Sequence, residues 1–69
     1  MTGAISPAQL RLLKMVAAHH PDVAREHLLK AGAAEADIAW LERHDLVRET
    51  GPGRLHLSHM GRQVLKRIT

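Results

Sequence analysis

The sequence contains no cysteine, no phenylalanine and no tyrosine, and Trp40 is its single tryptophan. Without cysteine the chain has neither a disulfide framework nor a thiolate metal site. We therefore expect a protein of the reducing cytoplasm rather than a secreted, disulfide-bonded one. The core must then be built from leucine, isoleucine, valine, alanine and methionine. Small helices that pack through leucine and alanine suit that supply.

Long hydrophobic runs are also missing. No stretch approaches the length of a membrane span, and the start, MTGAISPAQL, lacks the basic head and apolar run of a signal peptide. We therefore expect no membrane partner. A chain of 69 residues is close to the shortest length at which a hydrophobic core can hold a fold without disulfides or metal ions. Residues 1–69 are therefore predicted to form a single domain.

The sequence offers little material for catalysis or metal binding. It has no cysteine or tyrosine and no glycine-rich phosphate loop, and Ser6 and Ser58 are interpreted as helix caps. The six histidines occur without a His-Glu-x-x-His pattern, and the neighbours His19 and His20 would diverge on a helix. At the C-terminus of a helix, these two would suit the negative end of its dipole. We expect no enzyme activity, no cofactor and no bound metal.

Charge is unevenly distributed along the chain, whose formal net charge is +3. Residues 1–47 carry five Lys and Arg against six Asp and Glu, whereas residues 48–69 carry five against Glu49 alone. A basic C-terminal third favours a polyanionic partner, although the solvated surface of a small basic protein would have the same composition.

Capping residues and helical periodicity predict a first helix over about Ser6 to His19. Ser6 can cap it, Pro7 suits the first helical position, and Gln9 stands where a capping-box partner reaches back to the cap. Pro21 prevents the helix from continuing. The predicted inward residues are Leu10, Leu13, Val16 and Ala17.

Two more helices are predicted close together, which is typical of a helix-turn-helix unit. Asp22 is the expected cap of the segment VAREHLLKA, and Gly32 can end it. The following segment, AEADIAWLERH, contains no helix breaker. The predicted inward residues are Val23, Ala24, His27 or Leu28, and Ala31 in the second helix, and Ala34, Ile38 and Leu41 in the third.

Alternation then replaces helical periodicity. One strand should run from Leu46 to Thr50, Gly51-Pro52-Gly53 should form a turn, and a second strand should follow from Arg54. Ser58 can cap a last helix, HMGRQVLKRI. Its predicted inward residues are Met60, Val64, Leu65 and Ile68. The predicted fold class is therefore mainly α with a small β-hairpin.

Two segments resemble the winged helix-turn-helix regulators of bacteria, such as the multiple-antibiotic-resistance and arsenic-repressor types. In Leu41–Val47, the family has a leucine, two charged residues, two small residues often ending in glycine, then Leu-Val; here Asp45 takes the place of the glycine. In Arg54–Arg62, the family has a strand ending in Leu-Thr or Leu-Ser and a Gly-Arg pair in the next helix. The resemblance implies a three-helix core, a two-strand wing and a C-terminal helix.

The function implied by the resemblance is that of a small, cytoplasmic, bacterial or phage DNA-binding protein that regulates transcription. Its partner would be double-stranded DNA, contacted through the backbone by a basic wing and C-terminal helix. So few charges would give weak and nearly sequence-blind binding unless the protein forms a homodimer. The predicted DNA-binding residues are Lys30, Arg43, Arg48, Arg54, Arg62, Lys66 and Arg67.

Two alignments are possible for the residues that the third helix would present to the bases. A gap-free count back from Leu46-Val47 presents Lys30, Ala31, Gly32, Ala33, Glu35, Ala36 and Ala39. With Gly32 as the turn glycine, the presented residues are Glu35, Ala36, Ala39, Trp40 and Arg43. In either register carboxylates near the front of the helix fit phosphates and base edges poorly.

The alternative function is a protein-interaction module. Glu35 and Asp37 would form an acidic surface for a partner protein, and an exposed Trp40 beside them would be a natural hot spot. A tryptophan at this side position also fits a partly buried lid on the core.

Overall fold

The computed structural model describes residues 5–68, and side chains as far as Arg67. It is mainly helical with a small antiparallel sheet, as predicted. The helices are α1 (Pro7–Ala18), α2 (Arg25–Lys30), α3 (Glu35–Arg43) and α4 (His59–Ile68), and the strands are β1 (Val23–Ala24), β2 (Val47–Gly51) and β3 (Arg54–Leu57). The order in the sheet is β1-β3-β2, so β3 is central.

The start of α1 follows the predicted capping pattern. The backbone N–H of Gln9 donates to Ser6 Oγ at 3.1 Å, and the backbone N–H of Ser6 donates to Gln9 Oε1 at 3.0 Å. Pro7 occupies the first turn, where its missing N–H costs nothing, and His19 caps the other end. The predicted bounds of this helix are confirmed.

The buried face of α1 differs from the prediction at one edge. Leu13 and Val16 are buried as expected, but Leu12 is buried too, Leu10 is only half-buried, and Ala17 is exposed. Because α1 packs against α3, β3 and α4 together, its buried face is centred nearer to Leu12 than the leucine spacing alone indicates.

Asp22 does not cap α2, and that prediction was wrong. Val23 and Ala24 form the short strand β1, which pairs with Leu55 and Arg54 of β3, so the sheet has three strands instead of two. Ala24 occupies the N-cap position without a side-chain hydrogen bond. Val23 and Ala24, which were expected to begin the helix, therefore belong to the sheet. Of the other predicted inward residues of α2, Leu28 is buried, whereas His27 and Ala31 are exposed.

Gly32 ends α2 by adopting a left-handed conformation, with φ of +103°. The N–H of Ala33 donates to the carbonyl of Leu28 at 3.0 Å, and the N–H of Gly32 donates to that of Leu29 at 3.1 Å. This bonding pattern is the Schellman motif. Gly32 is thus the turn glycine, as the second of the two registers supposed. Ala34, predicted to be inward, is instead the exposed N-cap of α3.

The end of α3 repeats the same motif with an aspartate in the glycine position. Asp45 has φ of +61°. Its N–H donates to the carbonyl of Glu42 at 3.1 Å, and the N–H of Leu46 donates to that of Leu41 at 2.9 Å. Aspartate is one of the few residues other than glycine that tolerate this conformation.

The predicted hairpin is confirmed. Val47 faces Leu57 and Arg48 faces His56 across the two strands. Of the two turn glycines, Gly53 takes a positive φ of +73°, and its N–H donates to Glu49 Oε2 at 3.0 Å.

Ser58 begins α4 as predicted. Its Oγ accepts from the N–H of Gly61 at 3.0 Å and donates to the carbonyl of Asp45 at 2.6 Å. Gly61 is buried against the backbone of Leu46, which turns Met60 outward, with 52% of its surface exposed. The prediction of an inward Met60 was therefore wrong. The predicted inward side chain of Ile68 lies outside the described residues.

A single aliphatic core joins the helices to the sheet. Leu13, Ile38 and Leu41 are buried together in it, as their spacing predicted. Its members are Leu12, Leu13, Val16, Val23, Leu28, Ile38, Leu41, Leu46, Val47 and Leu55. Within residues 5–68, no helix has the length and apolarity needed to cross a bilayer.

Candidate nucleic-acid interface

The outer face of α4 carries the cations of the C-terminal third that have no carboxylate partner among the described residues. Arg62, Lys66 and Arg67 are exposed, and the helix sequence HMGRQVLKRI contains no acidic residue. Val64 and Leu65 are half-buried and pack against the core, which fixes the opposite face toward solvent. Among the described residues, no hydrogen bond or ion pair engages the three cations.

The two hairpin arginines, in contrast, are held by carboxylates. Arg48 donates to Asp45 in a two-pronged arrangement, from Nε to Oδ1 at 2.9 Å and from Nη2 to Oδ2 at 3.1 Å. Arg54 donates to Asp22 Oδ1 from Nε at 3.0 Å and from Nη2 at 2.6 Å. The Arg48–Asp45 pair has two parallel bonds to two oxygens, which is the bidentate form of charge-assisted hydrogen bond, whereas Arg54 directs both donors to one oxygen of Asp22.

These pairs shift the titration of all four groups. The hydrogen bonds from Arg54 hold the pKa of Asp22 below its usual value, and Thr50 adds a weaker hydrogen bond in the same direction. The hydrogen bonds from Arg48 likewise lower the pKa of Asp45. The pKa of each arginine rises in return. Both guanidinium groups therefore stay charged, but a phosphate would have to compete with a carboxylate for them.

The two cations predicted on α2 and α3 lie on separate helices. Lys30 is exposed and lies 3.9 Å from Glu26 Oε2, while Arg43 is exposed on the outward face of α3. Arg25 of α2 forms ion pairs with two carboxylates of α3. It lies 3.6 Å from Glu35 Oε1 and 3.3 Å from Glu42 Oε1.

The acidic residues of the alternative interaction surface point to different neighbours. Gln9 Nε2 donates to Asp37 Oδ1 at 3.4 Å, which directs Asp37 toward α1, whereas Glu35 contacts Arg25 of α2. Trp40 is half-buried, packs against the core, and stacks on His44 with ring centroids 3.9 Å apart and planes 21° apart. Asp37 and Trp40 thus have partners within the domain, whereas 72% of the Glu35 side chain stays exposed.

Arg48 and Arg62, which are predicted DNA ligands, lie on the same side of the molecule, linked by His56. One shallow depression is lined by Arg48, His56 and His59, and a neighbouring depression by His56 and Arg62. Sequence reasoning did not select His56 or His59. The signal was available for His56, because alternation in the hairpin places it directly opposite Arg48.

We use the name basic surface for the cationic and imidazole side chains that line these two depressions, Arg48, His56, His59 and Arg62, together with Lys66 and Arg67 farther along α4. Lys30 and Arg43 lie on α2 and α3, which contribute no residue to either depression. Arg54 extends it toward the hairpin turn but is tied to Asp22.

Comparison with known proteins gives no relative. The chain matches no protein-family model, no curated protein and no solved structure. The candidate site therefore has to be argued from its own geometry.

Metal coordination has no counterpart in this geometry. Within the described part of the chain, no group of three or more His, Asp or Glu side chains is arranged to hold a metal ion. The chemistry that the basic surface offers is N–H donation and positive charge, which suits phosphate oxygens.

Proposed function

We propose that this protein is a winged-helix domain that binds double-stranded DNA through the phosphate backbone, with α4 as the main contact. The observation that carries the proposal is the outer face of α4. Arg62, Lys66 and Arg67 are exposed there on a helix without acidic residues, and no described side chain neutralises them.

The fold supports the winged-helix part of the proposal. Three helices, a hairpin and a closing helix follow one another in the order implied by the resemblance. Asp45 has the left-handed conformation that the family's glycine would adopt at this point of the sequence.

Backbone contact, rather than base reading, follows from the side chains of α3. Its exposed face offers Ala36 and Arg43, with Glu35 at the front. Alanine has no polar group for a base edge, a carboxylate is repelled by phosphate, and Arg43 at the end of the helix is the single donor among these three. We therefore expect similar affinity for unrelated duplex sequences, as for a DNA-associated protein that reads charge.

The hairpin is assigned a secondary role. Its ion pairs are exposed to water, which screens the attraction between the charges, so Arg48 and Arg54 can exchange a carboxylate for a phosphate at little cost. Their net contribution is smaller than that of the unpaired cations on α4, because the released carboxylates remain nearby.

The test compares two variants with the same loss of charge. Arg62→Gln with Lys66→Gln removes two cations from α4, and Arg11→Gln with Lys14→Gln removes two exposed cations from the far side of α1. At low salt the α4 variant should bind a random-sequence duplex on the order of tenfold more weakly than the wild type. Fluorescence anisotropy with two unrelated duplexes measures both the loss and the sequence dependence.

The α1 variant is the control for net charge alone. It should lose clearly less affinity than the α4 variant. Equal losses would mean that the duplex responds to overall charge and that α4 is not the contact. A hundredfold preference of the wild type for one duplex would contradict binding through the phosphate backbone. It would indicate instead that α3 reads base edges.

A further inference from the structure

A depression of about 360 Å³ lies where the end of α1, the segment before β1, the strand β3 and the first turns of α4 meet. Its polar lining consists of His19, His20, His56 and Arg62. Apolar groups of α1 and β3, together with Pro21, line the rest, and no carboxylate is among the lining residues. Three titratable imidazoles and one permanent cation from three segments of the chain thus face one space.

His19 is arranged so that protonation changes what it can bind. Its Nδ1 lies 2.9 Å from the carbonyl oxygen of Met15, which can only accept, so this nitrogen carries the hydrogen. In the neutral ring Nε2 is then an acceptor and repels a phosphate oxygen. Only the imidazolium presents an Nε2–H donor to an anion.

The charged groups around the depression determine the pH response. Asp22 lies near enough to His56 to interact with its charge, but Arg54 already holds that carboxylate. On α4, Arg62 is without a described partner. At high pH Arg62 is the one charged side chain that lines the depression, beside the negative end of the α1 dipole. At lower pH the protonated imidazoles add positive charge there.

Two further groups flank these histidines. The ring of His27 on α2 lies 4.9 Å from that of His19, edge to face, and Arg48 faces His56 across the hairpin. Neither brings negative charge. Protonation therefore turns the whole depression cationic, with Asp22 as the acidic residue at its border.

We propose that this depression is a phosphate site that accepts one backbone phosphodiester of bound duplex DNA and strengthens as His19, His20 and His56 become protonated. The inference rests on the proposed function and deepens it. Arg62 lines the depression and also belongs to the exposed face of α4, so a duplex lying along α4 brings a phosphate to this position.

The structure contains a matched control for His19. His44 caps α3 as His19 caps α1, and its Nδ1 lies 2.9 Å from the carbonyl oxygen of Trp40, four residues earlier. It is also exposed, but it does not line the depression. His19→Gln and His44→Gln therefore remove the same C-cap imidazole, with the difference that His44 stacks on Trp40 and His19 meets His27 edge to face.

The experiment measures duplex affinity by fluorescence anisotropy between about pH 8 and pH 5.5, at constant ionic strength. Wild-type binding should tighten by roughly threefold to tenfold as pH falls. His19→Gln should lose a clear part of this gain, and His44→Gln should keep it. Arg62→Gln, an exposed substitution that leaves the imidazoles in place, should weaken binding at both ends of the range.

A second arm tests the site without DNA. Inorganic phosphate is titrated at about pH 6, and the histidine ring resonances are followed by NMR. The resonances of His19, His20 and His56 should shift in a saturable way, while those of His44 stay in place. Shifts spread equally over His44 would contradict a defined site.

The two arms separate the possible failures. Duplex binding that does not change with pH, or that loses its pH dependence equally in His44→Gln, overturns the phosphate site and leaves the DNA-binding proposal standing. Saturable phosphate shifts without any duplex binding overturn the DNA-binding proposal and assign the site to free phosphate. Absence of duplex binding together with absence of saturable phosphate shifts overturns both proposals.

Discussion

At the scale of single residues, Asp45 connects three parts of the domain. Its left-handed backbone ends α3, its carbonyl accepts from Ser58 Oγ at the start of α4, and its carboxylate binds Arg48 of the hairpin. A glycine could supply the backbone conformation but not the carboxylate. The position therefore combines a backbone requirement with a side-chain contact.

The backbone requirement can be isolated by two substitutions that both remove the carboxylate. Asp45→Ala and Asp45→Gly differ by one Cβ at a φ of +61°. The strain of a β-carbon there costs about 1 to 2 kcal/mol, partly offset by the greater freedom of glycine in the unfolded chain. Urea unfolding should show the glycine variant to be more stable by about 1 kcal/mol. Equal stabilities would contradict a left-handed residue at this point.

Gly61 is the second residue on which the arrangement depends. A Cβ built there overlaps the carbonyl oxygen of Leu46, which is backbone and cannot turn aside, and also crowds the side chain of Leu57. The absence of a side chain at this position lets α4 approach the segment before β2 closely.

Gly61→Ala should therefore destabilise the domain, although alanine is the better helix former by about 1 kcal/mol. We expect a net loss of roughly 1 to 3 kcal/mol in the free energy of unfolding. Gln63→Ala, an exposed change in the same helix, should stay within about 0.5 kcal/mol of the wild type. A thermal melt in which Gly61→Ala is the more stable variant would be incompatible with this close approach.

At the scale of elements, the sequence predicts the features that depend on residues close together in the chain. The α1 caps, the hairpin and the Ser58 cap depend on residues within a few positions of each other, and all were predicted. Strand β1 is two residues long and exists because β3 pairs with it from about thirty positions away, which no local pattern reveals. The same distant strand supplies Arg54, which takes the carboxylate of Asp22 away from its expected capping role.

The ion pairs between elements predict an acid-sensitive stability. The folded-state pKa of Asp22 and of Asp45 is lower than usual, so the unfolded chain binds protons more readily than the folded one. Their contribution is complete above the ordinary aspartate pKa of about 4 and is lost as pH falls through the lowered values. Urea unfolding between about pH 6 and pH 2 should show stability declining with acid.

The double variant Asp22→Asn with Asp45→Asn provides the comparison for this decline. It should be less stable than the wild type near neutral pH and should show a shallower loss on the acid side. Parallel stability curves for the two proteins would mean that the pairs with Arg54 and Arg48 do not contribute.

At the scale of the whole molecule, folding redistributes the charge that the sequence shows. The basic C-terminal third was predicted from composition, but the sequence could not show which cations would be neutralised. Arg48 and Arg54 acquire carboxylates from residues 45 and 22, outside that third, whereas Arg62, Lys66 and Arg67 acquire none among the described residues. The candidate site therefore moves from the hairpin to α4, and the histidines beside it become visible only when the sheet and helices are assembled.

The most direct measurement for the proposed function is the salt dependence of duplex binding. Each phosphate contact contributes about 0.9 to the slope of log K against log salt, so α4 with its neighbours should give a wild-type slope of roughly −3 to −5. Arg62→Gln with Lys66→Gln should flatten that slope by about two units, and Arg11→Gln with Lys14→Gln should leave it unchanged. Binding without salt dependence, or a slope that the α4 variant does not alter, would contradict DNA recognition through this helix.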